Sequence, residues 1–250
     1  PCETGPSCVV GRPCRAVITF RDVYRNARTK DPAVEFSAGI ATTSGETMGT
    51  FVSDEELLTP TGVSATIWFI SLRKNMYVVP VRGAGVHIDG SPFDVLIDAS
   101  EPVYIESSVS AVSGSIRAGR WDDVAVDAVD VLQNVHDRGG FLDYYAARVS
   151  GIYGEVINAT SVSDFGNGSY GIRYSATIAG VYELAVLIRG AHVLGSPQQF
   201  TVVSAETAAA HSVVTAQTEA DVLDNVMISV LEKDTFGNPR QFAHQQEAYD

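Results

Sequence analysis

Asp130-Val-Leu-Gln-Asn134 recurs, as Asp-x-(aromatic or Leu)-x-Asn, at Asp22-Val-Tyr-Arg-Asn26 and Asp234-Thr-Phe-Gly-Asn238. The three aspartates lie 108 and 104 residues apart. A second marker keeps the same step. Arg82-Gly83 precedes Gly90-Ser91-Pro92, Arg189-Gly190 precedes Gly195-Ser196-Pro197, and the two prolines are 105 residues apart. Tyr77 and Tyr182, ahead of each Arg-Gly, are also 105 apart. Independent markers in one order, repeated at one spacing, make an internal repeat. A period this long is a domain, about the size of a seven-stranded sandwich.

The segments between the markers read as strands. Alternation runs through Ala16-Val-Ile-Thr-Phe20, Val124-Ala-Val-Asp-Ala128 and Tyr182-Glu-Leu-Ala-Val186. Further β-rich runs are 65–70, 76–79, 93–97 and 200–203, separated by Gly, Pro, Asn and Asp turns. No amphipathic helix of 12 residues is present, and Thr207–Ser212 is read as linker plus the first strand of a third unit. The markers themselves are turn chemistry. An Asp carboxylate accepts nearby backbone N–H groups, and Asn tolerates left-handed backbone. In Gly-Ser-Pro the Gly permits a tight turn and the Pro removes a ladder donor. Asp22, Asn26, Gly90, Ser91, Pro92, Asp130, Asn134, Gly195, Ser196, Pro197, Asp234, Gly237 and Asn238 are therefore expected to be structural turn residues.

The 250 residues are 45% hydrophobic and 19% charged, enough to fill a core. A net charge of -13 argues against non-specific nucleic-acid binding. No run reaches the roughly 18 apolar residues of a membrane-spanning helix, so this segment is not expected to insert in a membrane.

Taken together, the markers resemble filamin-type immunoglobulin repeats. Unit two carries that pattern as Asp164-Phe-Gly-Asn-Gly-Ser-Tyr170, Gly180-Val-Tyr182 and Gly195-Ser-Pro197, and unit one ends in Gly90-Ser-Pro-Phe93. Unit one departs from it with a longer, acidic connection at 52–62, and unit two has Gln198-Gln199 before Phe200. The resemblance implies an all-β chain of tandem immunoglobulin-like antiparallel sandwiches, used as spacer or docking modules without catalysis. The expected division is 1–98 (an irregular, Cys-containing start), 99–204, and 205–250 as the first strands of a third repeat. It also implies a slice of a longer, rod-like protein. Its expected partners are other proteins, among them neighbouring repeats or copies of itself, and no cofactor.

In such repeats partners add a strand to an exposed edge, so that backbone bonds give affinity and side-chain pockets give specificity. By strand order the edge in unit two is 144–149 with 155–162, including Tyr144, Ala146, Arg148, Glu155, Ile157 and Val162. In unit one it is 34–40 with 47–52. A bare edge is also simply an edge.

Chemistry elsewhere is sparse. None of the nucleophile-elbow, zinc-protease, P-loop or dinucleotide-binding patterns occurs. His87 and His192 hold equivalent places beside the Gly-Ser-Pro turns, which fits a turn role better than a catalytic base. Asp122, Asp123, Asp127 and Asp130 cluster in sequence, but Asp123 and Asp127 on one strand face stand about 13 Å apart, too far for one ion. No metal site is expected. Cys2, Cys8 and Cys14 are disulfide candidates with one left over, since their spacing matches no zinc pattern. Asn158-Ala-Thr160 and Asn167-Gly-Ser169 are glycosylation sequons.

Cysteines and sequons together favour an extracellular or cell-surface structural and adhesive protein, the role filamin-like repeats also have in gamete-surface adhesion proteins. The alternative is an intracellular cytoskeletal or ciliary scaffold that docks partners by strand addition. A third reading, a carbohydrate-recognising accessory module, needs exposed aromatic platforms. Tyr144, Tyr145 and Tyr153 are the one cluster available, and a core role suits them as well.

Overall fold

The computed structural model describes residues 8–22, 24–26, 36–42, 50–52, 64–151, 156–157, 160–219, 221–222 and 225–240. Contacts divide the chain into two compact units, Pro1–Glu101 with Val129–Val135, and Pro102–Ala128 with His136–Asp250. Among the described residues the regular structure is strands plus two short 3-10 turns.

The first unit contains β1 (Cys8–Val9), β2 (Cys14–Thr19), β3 (Phe36–Ala38), β4 (Ala41–Thr42), β5 (Thr50–Val52), β6 (Ser64–Ile70), β7 (Asn75–Val79), β8 (Val81–Gly83), β9 (Val86–His87) and β10 (Phe93–Asp98). They form sheets ordered β1-β10-β7-β4, β2-β6-β5 and β3-β8-β9. Alternation in β2 turns Cys14 and Ile18 into a core with Phe69, Tyr77, Val79 and Ile97. Pro80 separates β7 from β8, because it has no N–H for the ladder. Its carbonyl instead accepts the N–H of Gly39, which lies in the matching gap between β3 and β4.

The second unit is more regular. It contains β11 (Ser108–Val109), β12 (Ser115–Arg117), β13 (Asp122–Asp127), β14 (Tyr145–Gly151), β15 (Val156–Ile157), β16 (Thr160–Asp164), β17 (Ser169–Tyr174), β18 (Gly180–Ile188), β19 (Ala191–His192) and β20 (Gln198–Val203). One sheet runs β11-β13-β17-β16 and the other β12-β20-β18-β14-β15, with β19 on β18. This is the two-sheet arrangement of an immunoglobulin-like sandwich. Where the first unit has Pro80, this one has Ala185, and β18 runs unbroken for nine residues. Between the sheets Tyr170, Tyr174, Leu184, Val186, Ile188 and Phe200 are all but fully buried.

Past Ser204 comes a 3-10 turn over Ala209–His211, then β21 (Val213–Ala216) paired with β22 (Ile228–Leu231). The stretch 207–212 thus supplies a turn, and the strand starts one residue after it. Among the described residues this ribbon has no core of its own, and Val214, Ile228 and Val230 are exposed.

Candidate functional site

The expected partner edge of the second unit is only partly open. β15 pairs with β14 at Val149 and Ser150 alone, which leaves 145–148 without a strand on that side among the described residues. Ala146 and Arg148 are exposed there. The edge is nevertheless blunted at both ends. The Tyr145 N–H donates to Leu142 O, and the Thr160 hydroxyl donates to Ala147 O at 2.9 Å. Among the described residues the longer bare edge is β16, the outermost strand of the other sheet, with Ser161 and Ser163 exposed. Val162 of that strand packs against the core. Ile157 lies in β15, opposite Val149. Glu155 lies outside the described residues, as does much of the edge expected in the first unit.

The tyrosine cluster is used internally. Tyr145 is buried and stacks on Tyr170 with ring centroids 4.0 Å apart. Burial, with Tyr170 and Asp164 nearby, pushes the Tyr145 hydroxyl well above its usual range. The Arg189 guanidinium covers the Tyr144 ring at 3.9 Å, and Phe141 packs beside it at 5.4 Å. Tyr145 therefore offers no open ring face for a sugar, one face of Tyr144 is taken by Arg189, and Tyr153 is outside the described residues.

The other candidates are placed as follows. Cys8 pairs with Cys14 in a disulfide, Cα atoms 5.6 Å apart, across the step by which the chain leaves β1 in one sheet and enters β2 in the other. Cys2 and Asn158 are outside the described residues. Asn167 sits in the turn between β16 and β17, where its side-chain oxygen accepts both the N–H and the hydroxyl of Ser169. Asp122 accepts the Tyr174 hydroxyl at 2.7 Å, and Asp123 pairs loosely with Arg173 at 3.8 Å. Among the described residues no group of three His, Cys, Asp or Glu side chains is placed to hold a metal ion. In each Gly-Ser-Pro turn the serine Oγ accepts a backbone N–H, from Val81 to Ser91 and from Val186 to Ser196. Each serine also meets its histidine, His87 or His192, at 3.0 Å.

The Asp-to-Asn loops do more than turn the chain. Within each loop the Asp Oδ1 accepts the N–H groups two and four residues on, as Asp130 does from Leu132 and Asn134, and Asp234 from Phe236 and Asn238. The residue before each Asn, Gln133 or Gly237, is left-handed. The Asn amide then reaches about sixty residues back. In the first unit Asn134 Nδ2 donates to Leu72 O, and its Oδ1 accepts the Lys74 N–H at 2.8 Å. In the second unit Asn238 Nδ2 donates to Thr177 O and its Oδ1 accepts the Ala179 N–H, both at 2.8 Å.

The turn that receives each Asn is held from behind by a buried tyrosine. The Tyr77 hydroxyl donates to Arg73 O and that of Tyr182 to Ile178 O, at 2.8 and 2.9 Å, four residues upstream in each case. Two more contacts repeat. Asp130 Oδ2 accepts the Ser100 N–H and Asp234 Oδ2 the Ala205 N–H, both from the linkers. Leu132 approaches Gly11, where a Cβ would lie 3.3 Å from its Cδ1, and the Phe236 ring occupies the place of a Cβ at Gly119. Both glycines have positive φ, so a side chain there would be strained as well as crowded.

Sequence reasoning read these loops as punctuation and missed their long reach. The available signal was the recurrence of Gly11 and Gly119, 108 residues apart, in step with the Asp markers.

No protein-family profile matches the chain. Among solved structures, FdeC, an Escherichia coli adhesin, superposes with TM-score 0.60 at 21% identity, over 95% of this chain and 73% of that one. InvD of Yersinia pseudotuberculosis gives TM-score 0.57 at 16% identity, over 94% of this chain and 70% of that one. The Lin-41 filamin domain matches 41% of this chain and 97% of its own length, at 21% identity and TM-score 0.36. These likenesses show the fold: the chain is built of immunoglobulin-like antiparallel β-sandwiches.

Proposed function

We propose that this chain is a non-enzymatic structural and adhesive segment of a multi-repeat protein at the cell surface, where it spaces and presents binding surfaces to other proteins. The observation that carries the reading is where the repeated residues go. Asp130, Asn134, Asp234, Asn238, Tyr77 and Tyr182 are all spent on holding loops to neighbouring turns. Each asparagine contact ties the loop that opens one sequence repeat into the compact unit built mainly by the repeat before it, a structural use that leaves these groups no part in chemistry. The adhesin FdeC, with a comparable fold over most of its length, supports the adhesive half of the proposal. The Cys8–Cys14 pair supports an oxidising compartment.

The second reading, an intracellular scaffold, draws on the bare outer side of β16 beside the short open stretch of β14, to which a partner strand would add. Mass mapping of peptides from the unreduced native protein separates the two. A Cys8–Cys14 linkage, or glycans on Asn158 or Asn167, is expected for the surface protein. Three free thiols with two bare asparagines would turn the search to cytoskeletal partners.

A further inference from the structure

The first Asp-to-Asn loop has the internal build of the other two. Asp22 Oδ1 accepts the N–H groups of Tyr24 and Asn26 at 2.9 and 2.8 Å. The Asp22 N–H donates to Asn26 O, and the Arg25 N–H to Asp22 O, as in the later copies. Arg25 is left-handed at φ 68°, matching Gln133 at 64° and Gly237 at 85°. The described residues of the loop, 22 and 24–26, are therefore held as their counterparts are in the loops that plug the other two turns. It presents that shape to solvent. Tyr24, in the place of Leu132 and Phe236, is 82% exposed, against 37% and 48% for those two. Asn26 is exposed, whereas Asn238 is buried.

We propose that the loop Asp22–Asn26 is a docking plug for one kind of partner, the end of a further immunoglobulin-like repeat of this type. That partner presents a tyrosine-held turn, whose carbonyl and N–H two residues apart would take the Asn26 amide. It also presents a left-handed glycine, against which Tyr24 would lie. A second copy of this chain is not the occupant. Among the described residues its turns of this kind, 72–74 and 177–179, are already filled by Asn134 and Asn238. The occupant is a repeat whose turn is vacant. Tyrosine suits the larger contact, since its ring adds apolar area to the role Leu132 fills with a smaller side chain. The inference rests on the repeat architecture alone and is indifferent to compartment.

The test fuses residues 102–212 directly ahead of residue 1 of the full chain. This restores, between the grafted Thr177 and Asn26, the spacing of 61 residues that separates Thr177 from Asn238. Surface nitration of tyrosines is then read by mass spectrometry, in the fusion and in the unfused chain. Tyr24 labelling is expected to be lost on fusion and to return when Asn26→Ala is introduced into the fusion. Tyr170 and Tyr174, buried in a folded repeat, report on the graft in the same digest. Tyr24 labelled in the fusion as in the unfused chain, with Tyr170 and Tyr174 still protected, overturns the proposal. So does a graft that stays unfolded, with the Tyr170 peptide labelled in half the copies, because a repeat matched to its plug should fold on it. Tyr24 protected in the unfused chain in step with its concentration assigns the loop to a second copy, and also overturns it.

Discussion

Two buried tyrosine hydroxyls in the second unit have opposite fates. Tyr182 donates to Ile178 O and so closes the turn that Asn238 enters. Tyr145, stacked on Tyr170, places its hydroxyl among atoms that give it no hydrogen-bond partner within the described residues. A buried polar group without a partner costs about 1–3 kcal/mol, while a made hydrogen bond contributes about 1 kcal/mol net. Tyr182→Phe should therefore destabilise by about 1 kcal/mol, and Tyr145→Phe should be neutral or stabilise by about 1 kcal/mol. Urea denaturation of the two variants checks this, and a large loss from Tyr145→Phe would mean its hydroxyl has a partner after all. The loop aspartates give a pH dependence. Burial works to raise Asp130, but hydrogen bonds from Asn134, Ser100 and Leu132 outweigh it and hold the carboxyl below its ordinary value of 3.8. Asp234 is lowered in the same way, against burial, by Asn238, Ala205 and Phe236. A folded value below the unfolded one adds stability that is whole above pH 3.8 and drains away as pH falls through the folded value. Denaturation midpoints should fall as the pH is taken below 3.8, and less steeply in Asp130→Asn and Asp234→Asn. Unchanged slopes in both variants would remove these two residues from the acid response.

At the scale of elements, the first unit is the less regular sandwich, and its disulfide lies where the chain changes sheets. Cys8 and Cys14 close a loop of separation six around the left-handed Gly11. In the chain-entropy account a loop this short contributes about 2 kcal/mol. Mild reduction should lower the first unit's stability by about that much and leave the second unit's unchanged. A loss in both units, or in neither, would contradict this. The same elements show what the sequence disclosed. Alternation around Val124 and Tyr182 located β13 and β18, because half-buried strands impose a period of two. Pro80, just past the run 76–79, marks the break between β7 and β8, a signal that sequence reasoning left unread. The bluntness of the β14 edge was not legible, since it depends on the Thr160 hydroxyl crossing to Ala147 O, a contact that local pattern cannot encode. The Asn134 and Asn238 contacts were hidden for the same reason. Turn chemistry accounted for every residue of the loops, so nothing local pointed to a partner sixty positions away.

For the whole molecule, those contacts place the boundaries of folding away from the boundaries of the repeats. By sequence Asn134 belongs to the second repeat, yet Val129–Val135 groups with the first unit. Its amide joins Leu72 O and the Lys74 N–H of that unit. Asn238 belongs by sequence to the third repeat and groups with the second unit in the same manner. If each unit melts as a cooperative body, a substitution should register in the unit that holds the side chain, whichever repeat encodes it. Asn134→Ala removes the bonds to Leu72 and Lys74, about 2 kcal/mol together at about 1 kcal/mol each, and the amide's contacts with Asp130 besides. At about 4–8 °C per kcal/mol for a domain near this size, that shift is resolvable by calorimetry. The transition that moves should be the one that also responds to reduction of Cys8–Cys14. Asn238→Ala should instead move the transition that responds to Tyr182→Phe. If Asn134→Ala moved the second unit's transition and left the first in place, the loop would be folding with the repeat that encodes it. Its bonds to Leu72 and Lys74 would then add nothing to stability, and the coupling of each repeat to the one before it would lie elsewhere.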